Sequence, residues 1–189
     1  MRRQLSHHKR AGSAPGQDGF MVQWVRALWP DLEDLCHEAL NGCYKEDELT
    51  TMLNSALMKL LRKGEKCSLE AGHYRPISLL SVFYKIGSGC ITRRLETVME
   101  KIIGPQQKAY SSTRNIGSIL LNLLNMMDHV NKKKKESLIL LVDFKKAFDS
   151  INTKFIDSAL ELLNFGESFR KWVGLFFSGR KTYLLLHGY

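Results

Sequence analysis

The amino-acid sequence predicts an α+β protein, in which helices pack on a sheet. Apolar residues recur at helical spacing at about 82–98, 117–130 and 153–163, a pattern typical of amphipathic helices. Residues 138–142 are a continuous apolar run of strand length, and 181–187 resemble a further strand. Because helical and extended segments alternate along the chain, a mixed fold agrees with the sequence better than an all-helical or all-β one.

The first third of the chain begins with a polar segment and continues with two short helices. Residues 1–17 are basic and rich in small residues, which predicts a flexible segment that ends in a turn. Helical spacing at 21–28 and 32–40 predicts two helices, and Pro30 suits the start of the second. The next segment, 49–61, fits either a helix or a strand.

The helix predicted at 82–98 has a basic side, formed by Lys85, Arg93 and Arg94, which we expect to face solvent. The next helix is followed by a run of lysines at 132–135. Positive charge is favourable at a helix C-terminus. A solvated connector therefore explains this run, with phosphate binding as the alternative.

Asp143 stands directly after the apolar run at 138–142. That run predicts a central strand covered by helices on at least one face. An ionised carboxylate taken out of water is strongly unfavourable unless it is paired or bound to a metal. Asp143 is therefore either a metal ligand or an exposed residue that caps the following turn, and the pattern alone leaves both open. We expect the helix beyond it to end at Gly166.

The composition favours a folded protein with a polyanionic partner. Hydrophobic residues make up 44% of the chain and charged residues 25%, which excludes a disordered class. Lys and Arg outnumber Asp and Glu by 28 to 19, for a net charge of +9 and a pI near 9.4. A surplus of this size favours binding to nucleic acid or to an acidic membrane surface.

The cysteines do not form a recognisable metal site. They include no C-x-x-C pair, and no histidine completes a zinc spacing, so we expect buried thiols in a reducing compartment. There is no signal peptide near Met1 and no apolar run long enough to cross a bilayer. The sequence therefore predicts a soluble intracellular protein of the nucleus or cytoplasm, with no membrane partner. The cysteines are Cys36, Cys43, Cys67 and Cys90.

Short motifs in a fixed order give the clearest indication of function. They are P-G-Q-D-G-F at 15–20, Y-R-P-I-S-L-L at 74–80, Q-K-A-Y at 107–110, R-N-I at 114–116 and D-F-K-K-A-F-D at 143–149. In this order they resemble the reverse transcriptase domain of LINE-type (non-LTR) retrotransposons, and the resemblance covers about residues 13–189. The third motif departs from the family, because Ala109 and Tyr110 replace the usual Gly and Phe.

The resemblance implies a partial right-hand polymerase fold, with helical fingers and an incomplete palm sheet. It divides the chain into a basic segment at 1–17, a mostly helical fingers-like region at 18–136 and a partial palm at 137–189. The family's second and third catalytic aspartates, its R-Q-G segment and its thumb do not occur in these residues. We therefore expect an N-terminal fragment of an RNA-directed DNA polymerase, inactive as this truncated chain alone.

The resemblance also implies roles for individual residues. Asp143 matches the first catalytic aspartate, a ligand of the two Mg²⁺ (or Mn²⁺) ions that support phosphoryl transfer in a complete enzyme. The backbone carbonyl of Phe144 lies near those ions, and the ring of Phe148 selects deoxynucleotides by excluding a 2′-hydroxyl. Arg75 contacts the triphosphate, unless it is an ordinary surface arginine. Asp149 has a structural role, holding the turn or capping the next helix, with a functional role as the alternative.

Nucleic-acid contacts follow from the same resemblance. Gln107 and Arg114 face the backbone of template or primer, with a structural role between fingers and palm as the alternative. The implied partners are an RNA template, a DNA primer and deoxynucleoside triphosphates. A second hypothesis, favoured by the basic charge, is a nucleic-acid-binding protein without catalysis. A third, an inert α/β protein with Asp143 as a turn cap, disagrees with the motif matches.

Overall fold

The structure is a computed structural model, and its chain divides into two compact units. We call Met1–Thr92 together with Thr153–Tyr189 the core unit, and Arg93–Asn152 the exposed unit. Helices and strands are both present, in agreement with the predicted α+β class. The structure describes residues 1, 14–64, 70–104, 107, 115, 117–134, 136–144, 146–148 and 150–185.

The core unit begins with the two predicted helices, α1 (Val22–Ala27) and α2 (Trp29–Glu46). Pro30 lies in the first turn of α2, where a missing N–H costs no intrahelical hydrogen bond. The helix starts earlier and ends later than its apolar spacing predicted. It ends at Asp47, which adopts the left-handed conformation with φ 55 and donates its N–H to the carbonyl of Cys43.

A three-stranded sheet lies in the same unit, in the order β2-β1-β3. The segment that fitted either a helix or a strand forms strand β1 (Ser55–Arg62). It pairs antiparallel with β2 (Tyr74–Leu80) and parallel with β3 (Lys181–Leu185). The described part of the predicted C-terminal strand is thereby confirmed. A short 3-10 turn, Ala71–His73, leads into β2.

The helix predicted after β2 is confirmed as α3 (Val82–Ile102), which runs from the core unit into the exposed unit. The predicted helix α5 (Thr153–Leu162) is also present. The prediction that Gly166 ends α5 is wrong. Asn164, with φ 59, makes that turn, and Gly166 instead precedes α6 (Glu167–Phe177), a helix that we did not predict from the sequence.

One hydrophobic core joins helices α1, α2, α3 and α6 of the core unit. The α3 backbone comes close to α2 and α6 at Gly87, where an added Cβ would lie 2.8 Å from the ring of Phe176 and 3.3 Å from Leu40. Only a glycine permits this approach without displacing a neighbour. The buried residues of the core are Val22, Val25, Trp29, Cys36, Leu40, Cys43, Leu49, Val82, Tyr84, Ile86, Leu175 and Phe176.

The exposed unit contains the predicted helix α4 (Gly117–Lys132), but none of its described residues is buried. The strand predicted at 138–142 is wrong, because these residues form neither helix nor strand. Their side chains are between 50% and 91% exposed, and no described strand pairs with them. A lone segment without a ladder partner leaves its backbone hydrogen-bonding groups to water. Across the described residues, every helix is too short or too polar to cross a bilayer.

Candidate nucleotide and nucleic-acid site

The described residues of the D-F-K-K-A-F-D motif lie in the exposed unit and outside any helix or strand. Asp143 is exposed, and the rings of Phe144 and Phe148 are 81% and 75% exposed. Between these two rings the chain turns at Lys146, whose carbonyl accepts hydrogen bonds from the N–H and the hydroxyl of Ser150, at 3.0 and 2.9 Å. The described motif side chains are therefore on the surface, apart from the hydrophobic core.

Arg75 lies in the core unit, on strand β2 opposite Leu61. Its extended conformation agrees with the prediction for a residue that precedes a proline. The end of this hairpin is fixed by Lys63, which donates its N–H to the carbonyl of His73 at 2.7 Å and its ammonium to that of Gly72 at 2.9 Å. The guanidinium of Arg75 is exposed and forms no ion pair with a described carboxylate.

Gln107, another residue predicted to contact nucleic acid, is exposed. Arg114 and Asp149 lie outside the described residues, so their predicted roles remain predictions. On α3, Arg94 is exposed, as expected for the basic side of the helix, whereas Lys85 and Arg93 are half-buried. The expectation that all three face solvent is therefore confirmed only for Arg94. Burial lowers the pKa of the Lys85 ammonium, an effect that the charge of Asp18 opposes.

One face of the sheet carries cations and an aromatic ring. Opposing residues on neighbouring strands share a face, as do alternate residues along one strand. By this register, a single face holds the exposed side chains of Lys59, Arg75, Lys181 and Tyr183. Three of these residues were not predicted from the sequence, since their common face becomes evident only when β1, β2 and β3 are aligned.

The P-G-Q-D-G-F motif contacts the end of the Y-R-P-I-S-L-L motif. A Cβ added to Gly16 would lie 2.6 Å from the backbone nitrogen of Ser81 and 2.7 Å from the carbonyl carbon of Leu80. The ring of Phe20 meets that of Phe83 edge to face, with centroids 6.1 Å apart. The P-G-Q-D-G-F and Y-R-P-I-S-L-L motifs are therefore in contact with each other where β2 meets α3.

Asp18 occupies the middle of this contact. Its Oδ1 accepts a hydrogen bond from the N–H of Phe20 at 3.2 Å, whereas its buried Oδ2 has no hydrogen-bond partner among the described residues. Burial raises the pKa of the Asp18 carboxyl, and the positive charge of Lys85 partly opposes this shift. Partial burial therefore disfavours the charged form of both groups, and their opposite charges offset this only in part.

A groove of about 440 Å³ lies beside α5 and α6. Arg170 of α6 binds Asp157 of α5 with two hydrogen bonds of 2.8 Å, and Glu161 with one of 2.7 Å. These bonds lower the pKa of the Asp157 carboxyl. The groove contains none of the residues predicted for nucleotide or metal binding, and its lining includes Thr153, Lys154, Ile156, Asp157, Arg170 and Phe177.

A metal site does not form from the described residues alone. No three of their His, Cys, Asp or Glu side chains are grouped so as to hold an ion. A hard cation such as Mg²⁺ needs several oxygen ligands, and the described part of the catalytic motif supplies one carboxylate, that of Asp143. These residues therefore do not by themselves fit the two-ion site that the resemblance implies.

Comparison with known proteins agrees with the motifs. A family model described as reverse transcriptase (RNA-dependent DNA polymerase) matches residues 61–186. The chain is similar to the transposon TX1 uncharacterized 149 kDa protein of Xenopus laevis, at 28% identity over 88% of the chain and 12% of that protein. It is also similar to the retrovirus-related Pol polyprotein from type-1 retrotransposable element R1 of Bradysia coprophila, at 27% identity over 90% of the chain and 17% of that protein.

A third relative is the corresponding Pol polyprotein from element R2 of Popillia japonica, at 24% identity over 85% of the chain. The chain spans 22% of that polyprotein and 12% of the TX1 protein. These matches cover nearly all of the chain but only a small part of each relative.

Proposed function

The chain belongs to the reverse transcriptase family, on the branch of the non-LTR retrotransposons, and we propose that it forms the fingers and the first part of the palm of an RNA-directed DNA polymerase. The observation that carries this proposal is the family match over residues 61–186, which contains Arg75, Asp143 and Phe148 together. Reverse transcriptases take an RNA template, a DNA primer and deoxynucleoside triphosphates, and they use divalent metal ions. For this chain, the RNA template, the DNA primer, the deoxynucleoside triphosphates and the metal ions are part of the proposal.

The proposed chemistry is distributed over the two units. In the exposed unit, Asp143 contributes one carboxylate to the ion site, and the ring of Phe148 excludes a 2′-hydroxyl from the incoming sugar. In the core unit, the exposed guanidinium of Arg75 binds triphosphate oxygens, for which its planar donors are suited. Gln107 and Arg114 contact the nucleic-acid backbone, and Asp149 holds the local turn.

The 189 residues alone are proposed to be inactive, since the family's other two catalytic aspartates do not occur among them. The test is primer extension on an RNA template with Mg²⁺, by this chain alone and by a longer polypeptide that joins it to the rest of a related polymerase domain. We expect extension only by the longer polypeptide. Extension by the 189 residues alone would contradict the proposed inactivity.

The role of Asp143 is tested in the longer polypeptide. Asp143→Ala is expected to reduce extension by at least about 10³-fold, because a lost metal ligand removes electrostatic stabilisation of the transition state. Asp128→Ala is the matched control, since Asp128 is an exposed aspartate of the same unit that pairs with Lys132 on one helix. Full activity of the Asp143 variant would show that the assignment of this carboxylate is wrong.

The role of Phe148 is tested by sugar selection. Phe148→Val is expected to improve use of ribonucleotides relative to deoxynucleotides by roughly 10- to 200-fold, the scale of discrimination that a small steric group provides. Phe144→Val is the control, because its ring is equally exposed but its proposed contribution is a backbone carbonyl. Unchanged discrimination in the Phe148 variant would remove this residue from the nucleotide site.

A second candidate function is nucleic-acid binding without catalysis, and the cationic face of the sheet favours it. Lysine and arginine beside an exposed aromatic ring are typical of surfaces that bind single strands through phosphate contacts and base stacking. Affinity for single-stranded RNA is then expected to fall steeply between 50 and 200 mM salt. Paired Lys59→Glu and Lys181→Glu substitutions should abolish it, whereas salt-independent affinity would exclude this function.

A further inference from the structure

The C-terminal end of α6 is bound by two side chains that share one carbonyl acceptor. The last carbonyls of a helix have no N–H within the helix from which to accept a hydrogen bond. At Phe176, the hydroxyl of Tyr84 and the guanidinium of Arg180 both donate to the carbonyl oxygen, each at 2.8 Å. Arg180 also donates to the Tyr84 hydroxyl, and its guanidinium lies over the Tyr84 ring, 4.6 Å from the centroid. These contacts fix the Arg180 side chain against the first turn of α3.

Strand β3 begins at the next residue, Lys181, and its own side chains do little to fix its register. The strand is five residues long, lies at the edge of the sheet and pairs with β1 alone among the described strands. Four of its five side chains are exposed, so a buried face does not specify which residues pair. A strand of this kind needs support outside its own hydrogen bonds, and Arg180 directly precedes it.

The register decides which side chains lie on the cationic face of the sheet. In the observed register Tyr183 lies opposite Leu57. A shift by one residue turns every side chain of a strand to the other face. It would therefore turn Lys181 and Tyr183 away from the cationic face. Thr182 and Leu184 would take their places.

We propose that Arg180 is a positioning residue that sets the register of β3. Its contacts with Tyr84 and with the Phe176 carbonyl hold the start of the strand. The register then places Lys181 and Tyr183 on the cationic face. The consequence for nucleic acid rests on the second candidate function, binding of single strands by that face. Because Arg180 is exposed, its replacement opens no cavity in the core, and its effect on the register can be separated from loss of folding.

The first experiment measures the register by disulfide cross-linking in the 189-residue chain. Leu57→Cys is combined in turn with Thr182→Cys, Tyr183→Cys and Leu184→Cys, and peptide mapping identifies the bond that forms on oxidation. A disulfide requires side chains that point towards each other, and neighbouring residues of a strand point to opposite faces. In the observed register, 57 and 183 are paired. We therefore expect this pair to cross-link at least about tenfold faster than the other two.

Replacing Arg180 should broaden the register. In Arg180→Met, the preference for the cross-link between 57 and 183 should fall from about tenfold to below about threefold, because the start of the strand is no longer held. Arg180→Lys should keep a preference of at least about fivefold, since an ammonium can lie over the same ring and donate to the same carbonyl. An unchanged preference in Arg180→Met would overturn the inference.

Two further variants separate the register from general stability. Tyr84→Phe keeps the ring but removes the hydroxyl, so we expect the cross-linking preference to fall by about two- to fourfold. If Arg180→Met does not fold, an unchanged preference in Tyr84→Phe would overturn the inference in its place. Arg170→Met is the matched control, because Arg170 binds Asp157 and Glu161 of α5 and not the start of β3. It should change the preference by less than about twofold, and equal losses in Arg170→Met and Arg180→Met would also overturn the inference.

The second experiment asks whether the register acts on nucleic-acid binding, with single-stranded oligouridylate RNA as the probe and equilibrium titration at about 50 mM salt as the measurement. Tyr84→Phe changes no charge, so it separates positioning from a direct phosphate contact of Arg180. We expect Tyr84→Phe to weaken binding by about two- to fivefold and Arg180→Met by about five- to tenfold, with Arg180→Lys within about twofold of the parent.

The outcomes of the two experiments distinguish the register from its consequence. A register that depends on Arg180, with no RNA binding by the parent, would support the positioning role and contradict the second candidate function. Weaker binding by Arg180→Met with unchanged binding by Tyr84→Phe would show that Arg180 contacts phosphate directly. That result would overturn the link from the register of β3 to RNA binding.

Discussion

The core unit and the exposed unit differ in how their sequence motifs are used. In the core unit, the P-G-Q-D-G-F and Y-R-P-I-S-L-L motifs meet at the β2–α3 junction, where Gly16 touches Ser81 and Leu80. In the exposed unit, the described residues of the D-F-K-K-A-F-D motif contribute nothing to the hydrophobic core, and Asp143 lies on the surface.

This difference separates residues needed for folding from residues needed for chemistry. Substitution of the buried residues where the two core-unit motifs meet should act on the free energy of unfolding, because those residues are packed against each other. Substitution in the described part of the catalytic motif should leave that free energy nearly unchanged and affect only activity. The predictions below test this separation.

The largest effect is expected from removing a buried leucine. Leu175 is 2% exposed, and Leu175→Ala should lower the free energy of unfolding by about 2–5 kcal/mol, the usual cost of a cavity in a core. Leu141→Ala in the exposed unit is the matched substitution at 87% exposure, and it should change that free energy by less than about 0.5 kcal/mol. Urea denaturation measures both, and similar losses would mean that the two units are equally packed.

The next effect concerns the contact between motifs. Gly16→Ala places a Cβ 2.6 Å from a backbone nitrogen, so the chain must shift, and we expect a loss of about 1–3 kcal/mol. Gly42 in α2 has no atom within 4 Å of an added Cβ, so Gly42→Ala should instead stabilise the protein by up to about 1 kcal/mol. The same denaturation experiment compares them, and a neutral Gly16 variant would show that the motifs do not touch.

A smaller effect is expected from the ion pair between α5 and α6. Its hydrogen bonds hold the pKa of Asp157 below the ordinary value of 3.8, so the folded state binds a proton there less readily than the unfolded chain. The pair therefore contributes its full stability above the unfolded pKa, and that contribution is lost as the pH falls through the lower folded pKa. Thermal unfolding between pH 6 and pH 2 should show a steeper acid loss for the parent than for Asp157→Asn. If the parent and Asp157→Asn lost thermal stability equally as the pH falls, the ion pair would make no such contribution.

The smallest effect on folding is expected at the proposed catalytic residue. Asp143→Asn should leave the free energy of unfolding within about 0.5 kcal/mol of the parent, because the side chain is exposed and has no part in the core. Urea denaturation measures this free energy for the parent, for Asp143→Asn and for Asp143→Ala. A loss above about 1 kcal/mol in both variants would show that Asp143 is a structural residue.

The helices were predicted where local sequence decides the structure. Apolar residues at helical spacing were sufficient for α3, α4 and α5, since each helix makes its own backbone hydrogen bonds. The same signal was present for α6, in which Trp172, Leu175 and Phe176 lie on one side, but we did not use it. The strand at 138–142 could not be decided locally, because a strand exists only with a partner and the described chain supplies none.

The proposed site was predicted only in part, for a related reason. The motifs identified Arg75, Asp143 and Phe148 through their resemblance to one family. They gave no indication that Lys59 and Tyr183 share a face with Arg75, because that depends on the alignment of three strands from separate parts of the chain. The contact of Gly16 with Leu80 and Ser81 was missed because these residues lie far apart in sequence and meet only after folding.

The parallel pairing of β1 with β3 has a consequence for biosynthesis. Ser55 is translated well before its partner Lys181, which lies 126 residues (181 − 55) later in the sequence. During this delay one edge of β1 has no partner from β3, and open strand edges are sites of misassembly. Closing so long a loop is also slow, so the yield of native protein should depend on the rate of elongation and on chaperones that shield β1 until its partner arrives.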